Sequence, residues 1–332
     1  MLKNKLIWKY QDIISLENLL QAWNEFKNGK RSRKDVQQFE QNLMSNIISL
    51  HKELTAKNYR HSSYEAFGVA DPKPRSIHKA EVRDRLLHHA IYRKLYPFFD
   101  KKFISDSYSC RIGKGTHKAM DRFTLFGGKV SKNHTQTTWV LKCDIRKFFA
   151  SIDQTILLKI LERYITDQDI IWLLSEIVHS FHSTKTNIGL PLGNLTSQLL
   201  VNIYMNEFDQ WMKHKMKAEY YIRYADDFVI LSEDKDWLLE LTPRVADFLE
   251  EKLHLTLHPK KVFLKTFASG IDFLGWVHFP KHRVLRTVTK KRMFRNIEGK
   301  VGDSSTVNSY LGLLDYGNAH SLKEKIKVEI IN

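Results

Sequence analysis

Two adjacent carboxylates, Asp226 and Asp227, stand at the centre of YIRYADDFVILS (residues 221–232), between two runs of apolar, β-prone residues. Charge fixed in such a segment is costly unless it reaches solvent or meets a cation. A hairpin turn that exposes both groups satisfies this, because Asp favours turn positions. A bound cation satisfies it equally. A third carboxylate, Asp144, follows the short strand Val140–Cys143 in LKCDIRKFFASID and precedes a helical stretch, where a side chain projects beyond a sheet edge. Oxygen-only ligands from separate segments suit Mg²⁺, which takes few carboxylates and combines them with waters and phosphate oxygens. Two such ions about 3.5–4 Å apart would activate an attacking hydroxyl and stabilise a leaving pyrophosphate in an in-line displacement.

The elements that must hold these groups alternate irregularly between helix and strand. Apolar residues recur at helical spacing from about residue 12 to 57, with the basic run KNGKRSRKD (Lys27–Asp35) as a break. That run is first a solvated turn, with phosphate contact as its functional alternative. FGVADPKPRSIHK (67–79) reads as strand, turn and strand, and a helix follows over Ala80–Leu95. A Gly-punctuated turn opens a helix ending near Phe123, GGKVSKNHTQTT (127–138) reads as a loop, and NIGLPLGNLTSQ (187–198) turns into a long helix. Around the central pair, alternation places Ile222, Tyr224, Phe228 and Ile230 on one side and Val229 and Leu231 on the other. A helix over Trp237–Leu253 and strands over Val262–Lys265 and Gly270–Phe279 complete the sheet region. Hairpins without strict βαβ alternation favour an α+β fold, an antiparallel sheet covered by helices on one side.

Composition narrows the partners. Lys plus Arg number 53 against 37 Asp plus Glu, a formal charge of +16, and 42% of residues are hydrophobic. A chain this long with that content buries a real core, and a field this positive concentrates a polyanion, most often nucleic acid. No apolar run of transmembrane length and no signal-peptide or lipidation pattern is present, so a cytoplasmic location is expected. Two cysteines, Cys110 and Cys143, imply neither a disulfide framework nor a cysteine zinc site. His179 and His182, like His88 and His89, lack an accompanying carboxylate or thiol set and read as structural or exposed. GKGTH lacks the P-loop spacing.

The motifs resemble the reverse transcriptases. YADD between apolar strands, with Asp144 upstream and Phe149 five residues after it, is similar to the palm of that family. PKPRSI (72–77), SYSCRIGKGTHKA (107–119), the Asp144 segment, GLPLGNLTSQ (189–198), YADD, HPKK (258–261) and FLGW (273–276) come in the family's order. Where group II intron and retroviral relatives commonly show Gln-Gly and then Ser-Pro, this chain has Leu192-Gly193 and Ser197-Gln198. That form, with AW..FKNGKRSRKDVQQFEQNL in the N-terminal half, resembles the enzymes of diversity-generating retroelements, which copy a template-repeat RNA and misincorporate opposite adenine.

The resemblance implies a right-hand polymerase: an N-terminal helical extension of the fingers over 1–60, fingers and a ferredoxin-like palm over 61–280, and a helical thumb over 281–332. It implies two Mg²⁺ ions, replaceable by Mn²⁺, on Asp144, Asp226 and Asp227. Lys73 and Arg75 would bind the incoming deoxynucleoside triphosphate, Arg being suited to bidentate phosphate contacts. Phe149 would exclude a ribose 2′-OH by bulk, and Lys260 or Lys261 would neutralise the leaving pyrophosphate. Leu192 and Gln198 would border the nascent base pair, where a branched apolar side chain cannot supply the hydrogen bonds of a Gln amide. Expected partners are template RNA, its RNA/DNA hybrid and a small basic accessory protein, with no membrane. A group II intron-like or phage-defence enzyme is the alternative, disfavoured for the intron by the lack of a maturase-type segment after the thumb. An inactive RNA-binding scaffold is a second, disfavoured by the complete carboxylate set.

Overall fold

The computed structural model describes residues 5–70, 74–299 and 303–331. Along the chain the elements run α1 (Tyr10–Ile14), α2 (Leu16–Phe26), α3 (Lys34–Gln41), α4 (Leu43–Thr55), β1 (Glu65–Val69), β2 (Arg75–Lys79), α5 (Val82–Asp100) and α6 (Thr116–Val130). They continue with β3 (Trp139–Asp144), α7 (Phe148–Ser151), α8 (Gln154–Glu162), α9 (Gln168–His179), α10 (Leu195–His214), β4 (Tyr221–Tyr224), β5 (Asp227–Ser232) and α11 (Lys235–Leu253). Last come β6 (Phe263–Thr266), β7 (Ile271–Phe273), β8 (Trp276–His278), β9 (Arg283–Leu285), α12 (Thr287–Glu298), α13 (Ser304–Leu314) and α14 (His320–Ile331). The sheets among the described residues are antiparallel, as the α+β reading expects. No helix among them is long and apolar enough to cross a membrane.

The chain divides into two compact units, each built from separate stretches. The first, Met1–Ser105 with Ile145–Lys215 and Ala246–Thr256, is mainly helical. Its helix α2 buries Leu19, Ala22, Trp23 and Phe26, the i, i+3, i+4, i+7 stripe of an amphipathic helix, and packs on α5. The α2 N-terminus is capped by Ser15, whose Oγ accepts the Asn18 N–H at 3.3 Å. The hairpin β1–β2 belongs to this unit, and the Leu192–Asn194 loop holds it: the His78 N–H donates to the Leu192 carbonyl at 2.9 Å and Asn194 Nδ2 to the His78 carbonyl at 3.1 Å. Gly193 permits that approach; its φ is +114°, and a Cβ there would lie 2.8 Å from Ile77 Cγ2.

The second unit, Asp106–Asp144 with Met216–Val245 and Leu257–Asn332, carries a four-stranded sheet in the order β4-β5-β3-β6 and a three-stranded sheet β7-β8-β9. Helix α6 packs on β4 and β5, and Ala119, Phe123 and Phe126 join Val140, Ile222, Val229 and Leu231 in its core. Three sequence expectations change here. The stretch from Gly127 opens as helix rather than loop, because α6 runs on to Val130 and Gly127 faces Phe267, whose Cε1 would stand 2.3 Å from an added Cβ. Gly270–Phe279 holds two strands rather than one, since Leu274 (φ +53°) and Gly275 (φ +88°) form a two-residue hairpin turn. The third concerns the faces of the central hairpin. Tyr224 pairs with Asp227 and Ile222 with Val229, and directly opposed residues share a face. Ile222 and Tyr224 therefore lie with Asp227, Val229 and Leu231, while Phe228 and Ile230 point the other way.

His278 in β8 has a pH consequence. It is fully buried; Nε2 meets the Phe273 carbonyl at 3.2 Å and Nδ1 has no partner. Burial, reinforced by the nearby Arg283 charge, lowers its pKa to about 4 against the partial opposition of the carbonyl and of Asp272 and Asp121. Its folded pKa lies below the unfolded value near 6.5, so the unfolded chain takes up the proton first. The stability that neutral His278 contributes is complete above pH 6.5 and is lost as pH falls towards 4, up to about 3 kcal/mol. Urea unfolding between pH 4 and 7 is expected to show that slope, and His278→Phe to flatten it.

Candidate active site

The carboxylates come together at one end of the four-stranded sheet. Asp144, the last residue of β3, lies directly opposite Asp227, the first of β5. The turn Ala225–Asp226 joins β4 to β5 and sets Asp226 beside Asp227. Ala225 takes φ +55°, a left-handed conformation that costs a non-glycine residue about 1 kcal/mol or more. Arg223 holds that turn. Its guanidinium is fully buried, donating from Nη1 to the Ala225 carbonyl at 3.1 Å and from Nη2 to Ser107 Oγ at 3.1 Å. Its backbone is gripped as well, N–H to the Asp106 carbonyl at 3.0 Å and carbonyl to the Tyr108 N–H at 2.9 Å. Tyr224 is anchored at its hydroxyl, which accepts from Thr116 Oγ1 at 3.1 Å.

Two lysines meet the carboxylates. Lys142 Nζ lies 3.2 Å from Asp227 Oδ2, and Lys261 Nζ lies 2.7 Å from Asp144 Oδ1. Lys261 is delivered by its loop, because the His258 N–H donates to the Asp144 carbonyl at 2.7 Å and the Lys261 N–H to the His258 carbonyl at 3.0 Å. Of the two lysines in HPKK, Lys261 is the one on the site; Lys260 is exposed, with its N–H on His258 Nδ1 at 3.2 Å. Lys142 was not singled out in the sequence. Its signal was its place two residues before Asp144 in one strand, which puts both side chains on one face.

Burial dominates the electrostatics of Asp227. It pushes the carboxyl up to about 7, against the pull of Lys142, and the charges of Asp226 and Asp144 push in the same direction as burial. Three carboxylates thus interact within one site. The buried Asp227 Oδ1 has no hydrogen-bond partner. Among the described residues no three His, Cys, Asp or Glu side chains converge as a ready metal cage; Asp144 and Asp227 each hold a lysine ammonium instead. An orphaned carboxylate oxygen in an all-oxygen donor set fits a hard divalent cation. Cys143 behaves as core, since burial raises its thiol pKa, and His179 and His182 are exposed.

The other expected residues lie in the helical unit, except Lys73, which falls outside the described residues. Arg75 is exposed at the start of β2. Phe149, half-buried in α7, accepts the Leu190 N–H on its carbonyl at 2.8 Å, which ties α7 to the loop carrying half-buried Leu192. Gln198 stands in the first turn of α10 and its N–H donates to the Asn194 carbonyl at 3.3 Å, a bond that a proline there could not make. Phe149, Leu192, Gln198 and β2 are in this way gathered in one unit.

A family model described as reverse transcriptase (RNA-dependent DNA polymerase) matches residues 70–278. Among curated proteins, the chain is 25% identical over 242 residues to Protein YkfC of Escherichia coli, spanning 62% of this chain and 61% of that one. It is 24% identical over 306 residues to the group II intron-encoded protein LtrA of Lactococcus lactis, 70% of this chain and 47% of the relative. To a putative COX1/OXI3 intron 1 protein of Saccharomyces cerevisiae it is 26% identical over 181 residues, 51% of this chain and 20% of the relative. The chain therefore spans less than two thirds of these relatives' lengths. Among solved structures, an apo telomerase from Candida tropicalis, truncated from its C-terminal domain, matches with a TM-score of 0.52 at 12% identity, over 73% of this chain and 60% of that one. That likeness concerns the fold.

Proposed function

The chain belongs to the reverse transcriptase (RNA-dependent DNA polymerase) family, and on that premise we propose that it synthesises DNA on an RNA template, in the error-prone manner of a diversity-generating retroelement. The observation that carries the catalytic part is the direct pairing of Asp144 with Asp227, with Asp226 in the adjoining turn. Asp144, Asp226 and the unpartnered Oδ1 of Asp227 would hold divalent cations, Mg²⁺ by preference. When bound, these ions supply activation of the primer 3′-hydroxyl and charge neutralisation at the triphosphate. The protein's own part is to fix the carboxylates on a sheet end, with Lys142 favouring the ionised form of Asp227 against its burial. Lys261 serves as the movable cation, released from Asp144 and available to the leaving pyrophosphate.

Arg75, in the helical unit, and Lys73 bind the triphosphate, and Phe149 excludes a 2′-OH. The spans 1–60, 61–280 and 281–332 act as finger extension, fingers with palm, and thumb. Template RNA, deoxynucleotides and a small basic accessory protein are the proposed partners, in the cytoplasm. Leu192 and Gln198 support the retroelement subtype: the nascent-pair pocket lacks the Gln amide of relatives, and Gln198 has the N–H that a proline lacks. An A·T pair, with one hydrogen bond fewer than G·C, gives up its advantage over a mispair most readily, whichever strand carries the adenine; the resemblance to the retroelement enzymes is what singles out the template adenine. cDNA copied from a mixed-base RNA is expected to carry errors opposite adenine in about 2- to 10-fold excess, the equivalent of one hydrogen bond of about 0.5–1.5 kcal/mol. Leu192→Gln is expected to reduce it.

The intron-encoded relatives favour a second reading, a group II intron-like enzyme. An even error spectrum across the four template bases, with synthesis intact, would select it over the diversity-generating one.

A further inference from the structure

We infer that Lys142 is a built-in counter-cation of the carboxylate site, which positions Asp227 and holds down the site's affinity for divalent cations. The inference rests on reading Asp144, Asp226 and Asp227 as cation ligands. Lys142 sits in β3 opposite Val229, diagonal to Asp227 and on the face that carries Asp144. Its side chain is only 12% exposed, and Nζ is held twice, at 3.2 Å from Asp227 Oδ2 and at 2.7 Å from the Asp272 carbonyl, which accepts its proton. The Phe273 ring lies 6.0 Å away. Lysines of this length normally carry the ammonium to water along an apolar stem. Here the stem starts in an inner strand of a four-stranded sheet and the backbone carbonyl of Asp272 ties its end, so withdrawal of Nζ would strand a buried cation and a buried carboxylate together.

Lys261 is built differently. Its side chain is 39% exposed, it rises from a loop, and the Asp144 carboxylate is within its reach at 2.7 Å. Water can replace Asp144 around that ammonium at little cost, so Lys261 yields its place to an incoming ion. Lys142 does not. A fixed positive charge on one carboxylate oxygen of a divalent site has two effects of opposite sign. It stabilises the cluster of negative charge before any ion arrives, and it repels the ion once there, across only a few ångströms of low-dielectric surroundings. It also divides the labour of Asp227, with Oδ2 committed to Lys142 and the unpartnered Oδ1 left to face the ion. The carboxylate is in this way pinned in one orientation.

The test is a Mn²⁺ titration of the full chain, without nucleotide or nucleic acid, followed by the electron paramagnetic resonance of free Mn²⁺, with thermal melting in chelator alongside. Lys142→Met is expected to bind Mn²⁺ about tenfold more tightly than the parent and to melt at a lower temperature in chelator. Lys142→Gln keeps a donor for the Asp272 carbonyl and lacks the charge; it is expected to show the same tightening, and it decides the matter if the Met variant does not fold. Lys142→Arg retains the charge and is expected to bind as the parent does. Lys265→Met, an equal charge change at an exposed strand residue, is expected to leave the isotherm in place. A purely structural Lys142 predicts weaker binding in both neutral variants, and affinity unchanged or lowered in the folded Lys142→Gln protein overturns the inference. Should Asp226→Asn leave the parent's Mn²⁺ isotherm untouched, the cation-site reading itself falls, and this inference with it.

Discussion

The double variant Asp226→Ala/Asp227→Ala is expected to lose DNA synthesis by about a thousandfold or more, since metal-borne charge stabilisation is worth several kcal/mol and each 1.36 kcal/mol is a decade in rate. Both carboxylates stand at the sheet end opposite Asp144, and no other residue of the β4–β5 turn offers an oxygen side chain that could replace them. RNA binding should survive, because it draws on a surplus of Lys and Arg spread over the chain, 53 against 37 acids, rather than on the turn. Primer extension on an RNA template with Mg²⁺, paired with a filter-binding titration on the same RNA, measures both. A variant that extends primers at the parental rate would leave Asp226 and Asp227 as structural parts of the β4–β5 hairpin and nothing more.

Arg223→Met is expected to cost about 4 kcal/mol of stability, because the Ala225 carbonyl and Ser107 Oγ lose a donor in a buried setting at about 1–3 kcal/mol each, together with guanidinium packing. The same change releases the clamp on a turn whose Ala225 is held at φ +55°. Synthesis should therefore fall below the parent's even at a temperature where urea unfolding shows the variant folded. Arg223→Lys, which keeps a cation but can reach only one of the two acceptors in good geometry, should lie between them. A Met variant as stable as the parent would mean that the guanidinium contributes nothing net to the turn.

Much of the site was legible before any tertiary contact was known. The carboxylates of the candidate site announce themselves by type: Asp226 and Asp227 interrupt strand-forming residues, and Asp144 ends a short strand. The helix–strand–hairpin pattern places α5, α10, β3 and the β4–β5 hairpin close to where they are found. Such features are local, set by backbone preferences and by alternation within a single strand. The faces of the hairpin differ from what alternation along the sequence implies, because alternation does not cross a turn by itself. With Ala225 and Asp226 as the turn, Tyr224 pairs with Asp227, and one residue more or fewer would have turned Asp227 to the opposite face. Gly127 reads as a loop residue, since glycine disfavours helix; only Phe267, 140 residues on, shows why a helical position carries glycine.

By itself the sequence determined the identity of the carboxylates, the strands that flank them, the order of the motifs and the positive charge available to nucleic acid. The tertiary structure decided which lysines meet which acids. Lys142 reaches Asp227 across a strand pair, Lys261 rather than Lys260 reaches Asp144 across 117 positions, and Arg223 closes on Ala225 while holding Ser107. Side-chain type and local periodicity are properties of a few consecutive residues. Strand register and loop docking are instead set by the burial of distant surfaces together, so the electrostatic partners of the carboxylates exist only once the sheet has formed.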